Sequence, residues 1–323
     1  MHSTKGHDEM NYSSVLVSED DARKVIGAKD ALSITESFFR DRSRGGTFTP
    51  PRWHVNSAKG GMAFTAGGSE ARRITGFRVY TTYGGDDQLI AVYDMENGSL
   101  KGIVTGSYIG SIRTAAIGSL SIKYMARSDS RVLGIIGSGA QAYFQTVCAI
   151  EAMPFTRILA YSPNRDHAEK FASRILVDTG RTVNLMNSAK AVANESDVLI
   201  LATRSSNPVV FREWIREGSH IISVGKKSID EHELDVAIPP ICSVVATDSM
   251  EQLISYPERH FMESSPLRAS IVELSDIISA KERGRICKDD VTLFLSVGLS
   301  GTEVMIANEA IERMVTGGIQ KLK

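Results

Sequence analysis

Two rhythms of apolar and polar positions divide this chain. In the first part, up to about residue 128, VLVSEDDARKVI (15–26) predicts a strand followed by a helix, with Ser18 as cap and acids in the first turn. ITGFRVYTTYGG (74–85) and QLIAVYDMENGSLKGIV (88–104) predict strands, and Asn97-Gly98 between two apolar runs predicts a hairpin turn. The expectation is an antiparallel sheet with helices packed on it. Residues 113–127, RTAAIGSLSIKYMAR, space their apolar positions by three and four and predict a helix leading onward.

From Arg131 strands and helices alternate. Strand 131–137 precedes helix 140–153, and TRILAYS (156–162) precedes a helix at RDHAEKFASRIL (165–176). TVNLMN, the short helix SAKAVANE, strand DVLILAT (197–203), a helix at FREWIREG (211–218) and strands HIISVG (220–225) and SVVATD (243–248) follow. Such βαβ units predict a parallel sheet. The fold class is therefore α/β: a Rossmann-type doubly wound domain over 129–303 beside an α+β domain with an antiparallel sheet over 1–128. The amphipathic segment SGTEVMIANEAIERMVTGG (300–318) predicts a helix that returns to the first domain, which 304–323 would complete.

Composition narrows the classes. The chain has 323 residues, 42% of them hydrophobic, enough for a full core. Lys and Arg number 37 against 38 Asp and Glu, which gives no reason to expect nucleic acid or a membrane surface as partner. Cys148, Cys242 and Cys287 are far apart, so neither a disulfide framework nor a metal site is expected. MHSTKGHDEMNYSS has no apolar core of a signal peptide, and the apolar runs are strand-sized; the expected location is the cytosol.

The chemistry starts at RVLGIIGSGAQA (131–142). Gly137-Ser138-Gly139-Ala140-Gln141-Ala142 is G-x-G-x-x-A between a strand and a helix. The first glycine permits the turn, the second admits a pyrophosphate to the backbone, and small Ala142 lets helix and strand pack closely. The helix N-terminus offers free N–H groups to phosphate. At the end of the second strand an acid would hold the ribose hydroxyls of NAD; here Ser162, Asn164 and Arg165 stand instead, and NADP(H) is favoured over NAD(H).

SIRTAAIGSLSIKYMARSDSRVLGIIGSGAQA, with ILATRSSNPVVFREWIREGSHIISVG and DDVTLFLSVGLSGTEV, resembles the ornithine cyclodeaminase/mu-crystallin family, over about residues 40–310. The resemblance implies a nicotinamide enzyme acting on an α-amino or α-imino acid, and a homodimer built by the first domain. It implies that Arg52 and Arg113 hold the substrate carboxylate, which suits a guanidinium fork. It also implies cofactor contacts at Thr114, at Gly137, Ser138, Gly139, Ala140 and Gln141, at Thr203 and Val224, and at Ser296, Val297 and Gly298.

Two positions depart from the family pattern. Arg78 stands where a lysine is usual, still an anion binder but a poor proton donor. Lys227 stands where ornithine cyclodeaminases carry an aspartate, and it would repel a cationic side chain. Asp230 and Glu231 remain possible substitutes. Arg52, Arg78, Arg113 and Lys227 would make a cationic pocket suited to a second acidic group or a neutral polar tail. The function read here is an NAD(P)-dependent oxidoreductase acting on the C=N or CH–NH of an α-imino or α-amino acid, with Arg78 and Lys227 as candidate catalytic residues. The alternatives are a lyase that recycles NAD, a synthase condensing an α-keto acid with an amine, and a non-catalytic NADP(H)-binding protein.

Overall fold

The computed structural model describes residues 14–83, 87–256 and 258–317. Most of the polar N-terminal segment, the Gly84-Gly85 turn and the end of the returning segment lie outside the described residues. β1 (Val15–Val17) leads into α1 (Glu19–Val25), whose first turn is capped as expected: Ser18 Oγ accepts the N–H of Asp21 at 3.2 Å. α2 (Ala28–Arg42), which the sequence reading passed over, buries Ile34, Phe38 and Phe39 on one face.

β2 (Thr47–Phe48), β3 (Trp53–Ser57), β4 (Gly60–Ser69), β5 (Ile74–Thr81), β6 (Gln88–Asp94) and β7 (Leu100–Thr105) form the first sheet together with β1, in the order β1-β7-β6-β5-β4-β2, with β3 paired to β4. Gly98 takes φ +73° in the connection between β6 and β7, the left-handed backbone that the Asn-Gly pair predicts. The sheet is not wholly antiparallel: β1 runs parallel to β7, Leu16 opposite Ile103. No hairpin joins these two strands, so nothing in the connection forces them to run opposite.

α3 (Tyr108–Met125) begins before Arg113, because Tyr108, Ile109 and Ile112 are buried as well. Packed between α2 and the second sheet, it is buried nearly all round. The second sheet follows. Its strands are β8 (Val132–Ile136), β9 (Arg157–Tyr161), β10 (Val183–Leu185), β11 (Val198–Leu201), β12 (His220–Ser223), β13 (Val244–Thr247), β14 (Val272–Glu273) and β15 (Thr292–Leu295). Its helices are α4 (Ala140–Ala152), α5 (Arg165–Thr179), α6 (Ala189–Glu195), α7 (Met250–Ile254) and α8 (Leu274–Ile278). The order is β10-β9-β8-β11-β12-β15-β13-β14, every pairing parallel. It reverses direction across β8 and β11, the place where doubly wound sheets open a crevice.

FREWIREG is not a helix. Only Arg212–Trp214 makes a single 3₁₀ turn there. The segment is short, lies between Pro208 and Gly218, and buries none of its three turn residues, so nothing offsets the cost of helix nucleation. α9 (Thr302–Thr316) leaves the second sheet and lies across β4, β5, β6 and β7 of the first. Met305 and Ile306 are fully buried there, each contributing about 1.5–3 kcal/mol. Arg313 ties α9 to Asp30 at 2.8 Å and to the Val25 carbonyl at 2.7 Å. Among the described residues no helix is long and apolar enough to cross a membrane.

Candidate active site

The glycine turn sits between β8 and α4. Gly137 has φ +120°, and a Cβ there would stand 2.3 Å from the Ala202 carbonyl oxygen. Only glycine fits. A Cβ at Gly139 would meet nothing within 4 Å, so the space over that residue is open to a phosphate. Ala142 is fully buried against the sheet. This is the arrangement a dinucleotide requires.

Gly137, Ser138, Gly139, Ala140, Gln141, Ser162, Thr203 and Val224 line one cleft of about 1050 Å³. Gln141 Oε1 is buried there and has no hydrogen-bond partner among the described residues. Asn164 and Arg165 are engaged elsewhere: Asn164 Oδ1 caps α5 by accepting the His167 N–H at 3.0 Å, and Arg165 pairs with Glu169 at 2.8 Å on the surface. Thr114 bonds back to the Gly110 carbonyl within α3, and its own carbonyl accepts from Gln145. Ser296 donates its N–H to the Ser223 carbonyl at 3.0 Å, which sets Ser296-Val297-Gly298 beside Val224-Gly225 where β15 and β12 end.

Arg52 and Arg113 meet at Gly298. A Cβ at residue 298 would lie 2.9 Å from Arg52 Nη2 and 3.2 Å from Arg113 Nη1. Arg113 is 4% exposed, yet among the described residues its Nε and Nη1 have no hydrogen-bond partner, and Arg52 Nε has none either. The nearest carboxylate, Glu303 Oε2, stands 3.8 Å from Arg113 Nε, within ion-pair range but outside hydrogen-bond range. Buried guanidinium donors left this way are costly unless an anion completes them. Burial alone would raise the Glu303 carboxyl, but Arg113 and Arg78 outweigh it and hold it below its ordinary value.

Arg78 is buried on β5. Its Nε and Nη2 both donate to Gln88 Oε1, and its Cζ lies 4.4 Å from the Tyr80 ring centroid. Burial, reinforced by Arg113, pushes its pKa down to about 10. At that value it remains a fixed cation near neutrality.

The two lysines of the loop after β12 separate. Lys226 is at the surface, paired with Glu231 at 2.7 Å. Lys227 is 1% exposed, and its Nζ donates to the carbonyl of Gly225, a cleft residue. Burial lowers its pKa to about 8, although Glu233 and Asp248 pull the other way. Asp230 and Glu231 do not stand in for the missing acid; both are exposed or turned to Lys226.

Four buried groups gave no sequence signal. Glu233 accepts from the Thr203 N–H and hydroxyl, the Ser223 hydroxyl and the Gly225 N–H. Asp248 accepts the N–H groups of Val297 and Gly298. Glu303 takes the Thr65 hydroxyl. His260 Nδ1 accepts the Met262 N–H, and burial with the Lys227 charge holds this imidazole neutral, down to about 3. Charges of opposite sign act on three buried groups: Glu233 and Asp248 on Lys227, Arg113 on Asp248, and Arg113 and Arg78 on Glu303. Glu233, Asp248 and His260 lie outside helices and strands, where no periodicity betrays them, and Glu303 on α9 reads as an ordinary polar position of an amphipathic helix.

Fold and cleft together define a dinucleotide-binding protein of the doubly wound class, with the guanidinium groups of Arg52 and Arg113 converging on Gly298. The family model for the ornithine cyclodeaminase/mu-crystallin family matches residues 14–318, and the chain belongs to that family. Alanine dehydrogenase of Archaeoglobus fulgidus is 26% identical over 317 residues, 95% of this chain and 97% of its own length. Ketimine reductase mu-crystallin of Macropus fuliginosus is 26% identical over 323 residues, 95% and 100% of the two chains. The structure of Thermococcus litoralis Δ1-pyrroline-2-carboxylate reductase with NADH and L-proline superposes with a TM-score of 0.88 at 28% identity, covering 96% of this chain and 100% of that one. An archaeal alanine dehydrogenase dimer with bound NAD superposes at 0.86 with 25% identity, covering 96% and 99%. These relatives are reductases and dehydrogenases, and the two solved structures hold NADH and NAD.

Proposed function

We propose that this protein reduces the C=N bond of an α-imino acid with NADPH, or oxidises the corresponding α-amino acid in reverse. The observation that carries this reading is the set of unpartnered guanidinium donors of Arg52 and Arg113 around Gly298, beside a cleft shaped for a dinucleotide. The fork of Arg113, helped by Arg52, holds the substrate carboxylate and so fixes the neighbouring carbon in place. The coenzyme supplies the hydride for that carbon when bound. Lys227 holds the proton destined for the nitrogen, its ammonium on the cleft residue Gly225. Arg78, whose side chain among the described residues hydrogen-bonds the neutral Gln88 alone, receives a second acidic group or a polar tail.

The buried cation at Lys227 disfavours an ornithine-like side chain, because the buried carboxylate of that loop, Glu233, is already engaged by Thr203, Ser223 and Gly225. The absence of an acid after β9 favours NADP(H). The first sheet with α9 forms the substrate half, the second sheet the coenzyme half, and a homodimer like that of the archaeal alanine dehydrogenase is the expected assembly.

The test is NADPH oxidation with a panel of cyclic and acyclic α-imino acids, with and without a second carboxylate, repeated with Arg113→Ala. Turnover with at least one imino acid is expected, with kcat/KM falling on the order of 100-fold in the variant, chiefly through KM. Absence of turnover with the whole panel, in both directions and with both coenzymes, would remove the reading.

A further inference from the structure

We propose that Arg204 and His167, with Ser162, form the seat of the adenosine 2′-phosphate and thereby select NADPH over NADH. The inference rests on the coenzyme reading above and adds residues that the strand-end pattern does not reveal.

Ile136 of β8 is paired with Tyr161 of β9 on one side and Leu201 of β11 on the other, so three strands end level with the glycine turn. Ser162 and Arg204 therefore leave neighbouring strand ends on opposite sides of Gly137, roughly 10 Å apart by strand spacing. An arginine side chain spans much of that gap. His167, on the first turn of α5, reaches the same cleft, which both residues line.

Among the described residues the cleft lining contains these two basic groups and no carboxylate. Asp166, the acid in the first turn of α5, is exposed and does not line it. Among the described residues Arg204 makes no ion pair and its side chain no hydrogen bond, and the His167 ring makes none either. Ser138 donates its hydroxyl to Ser162 Oγ at 3.0 Å, which leaves the Ser162 hydroxyl hydrogen available to an anion. Asn164 and Arg165, the residues that position alone suggests, do not line the cleft: Asn164 Oδ1 caps α5, and Arg165 lies on the surface beside Glu169. A phosphate dianion is the group that completes two unpaired bases and a free hydroxyl. A planar guanidinium after β11 can also lie on the adenine face.

The experiment uses coenzyme fragments, so it does not depend on turnover. The chain has two tryptophans; Trp214 lines the cleft, and Trp53, exposed on β3, is changed to Phe in every variant. Trp214 fluorescence is titrated with adenosine 2′,5′-bisphosphate and with 5′-AMP. The parent is expected to bind the bisphosphate at least about tenfold tighter. Arg204→Ala and His167→Ala should each weaken that binding by about tenfold and leave 5′-AMP unchanged, whereas Arg165→Ala changes neither. Loss of the preference in Arg165→Ala, with Arg204→Ala and His167→Ala unaffected, overturns the assignment and leaves the NADPH reading intact. Equal binding of the two nucleotides by the parent overturns the NADPH reading and the assignment with it. Thermal melts check that the three exposed substitutions leave the fold alone.

Discussion

Asp248 holds Gly298 by its backbone: the buried carboxylate accepts the Gly298 N–H at 2.8 Å and the adjoining Val297 N–H at 2.9 Å. Because Arg52 and Arg113 converge on Gly298, this bond sets where their donors end. Asp248→Ala leaves two buried N–H groups unmatched, at about 1–3 kcal/mol each. We expect a lowered Tm and a KM for the carboxylate substrate raised more than kcat falls. Asp248→Asn, which keeps one acceptor oxygen, should recover part of both. Unchanged KM in a folded Asp248→Ala protein would contradict this role.

The two glycines of the turn should fail differently. Gly137→Ala combines a strained φ with a Cβ 2.3 Å from the Ala202 carbonyl, so the loss is one of stability, at least about 1–3 kcal/mol, visible in denaturant unfolding. Gly139→Ala has room for its methyl and should fold normally. Its penalty falls on coenzyme affinity, measured by NADPH fluorescence. Equal stability of the two variants would argue against this division.

Lys227 predicts a pH dependence whose sign is defined. Burial lowers its pKa from 10.5 unfolded to about 8 folded, so between these values the unfolded chain binds more protons, and stability rises with pH. Below pH 8 the folded state bears the full cost of a buried ammonium, about 3 kcal/mol. Lys227→Met should therefore melt higher than the parent near pH 7, with the difference vanishing towards pH 10. In the same variant the fall of kcat/KM for imine reduction above pH 8, expected in the parent as the proton is lost, should disappear along with most of the rate. A parent rate that stays flat from pH 7 to 10 would exclude Lys227 as the proton source.

Glu233 joins two cleft-lining segments, Thr203 after β11 and Gly225 after β12. Glu233→Gln keeps the shape but replaces one acceptor with a donor that faces donors. Weaker NADPH binding and a lower Tm are expected together; calorimetric titration with NADPH, beside a melt, checks both. If binding is unchanged while Tm drops, Glu233 is only a structural brace.

What could be read in the sequence was what repeats or turns. Strand–helix alternation from Arg131 located β8 to β13 because each burial pattern is local. Ser18 and Asn97-Gly98 announced a cap and a turn by residue type. α2 and the glycine-rich β4 were passed over, since α2 alternates less cleanly than its neighbours and glycines in β4 hide its pattern. The strand at Val15–Val17 was seen, but three residues cannot declare a direction. The arginines were found through resemblance, and their shared glycine, Gly298, only through the fold. Asp248 and Glu233 act across 50 and 30 residues of chain respectively, and no spacing rule reaches that far. Asn164 and Arg165 show the reverse case: the residue types suit a phosphate, yet in the fold Asn164 Oδ1 caps α5 and Arg165 lies beside Glu169 on the surface.

The return of α9 to the first sheet has a mechanical result. The backbone passes between the two sheets twice, outward through α3 and back through the stretch that follows β15. A body tethered at one point can swivel in any direction, whereas one tethered at two turns about the line that joins them. Any opening of the crevice must therefore bend both crossings, α3 and residues 296–301, and Gly298 and Gly301, both with positive φ, sit in the second.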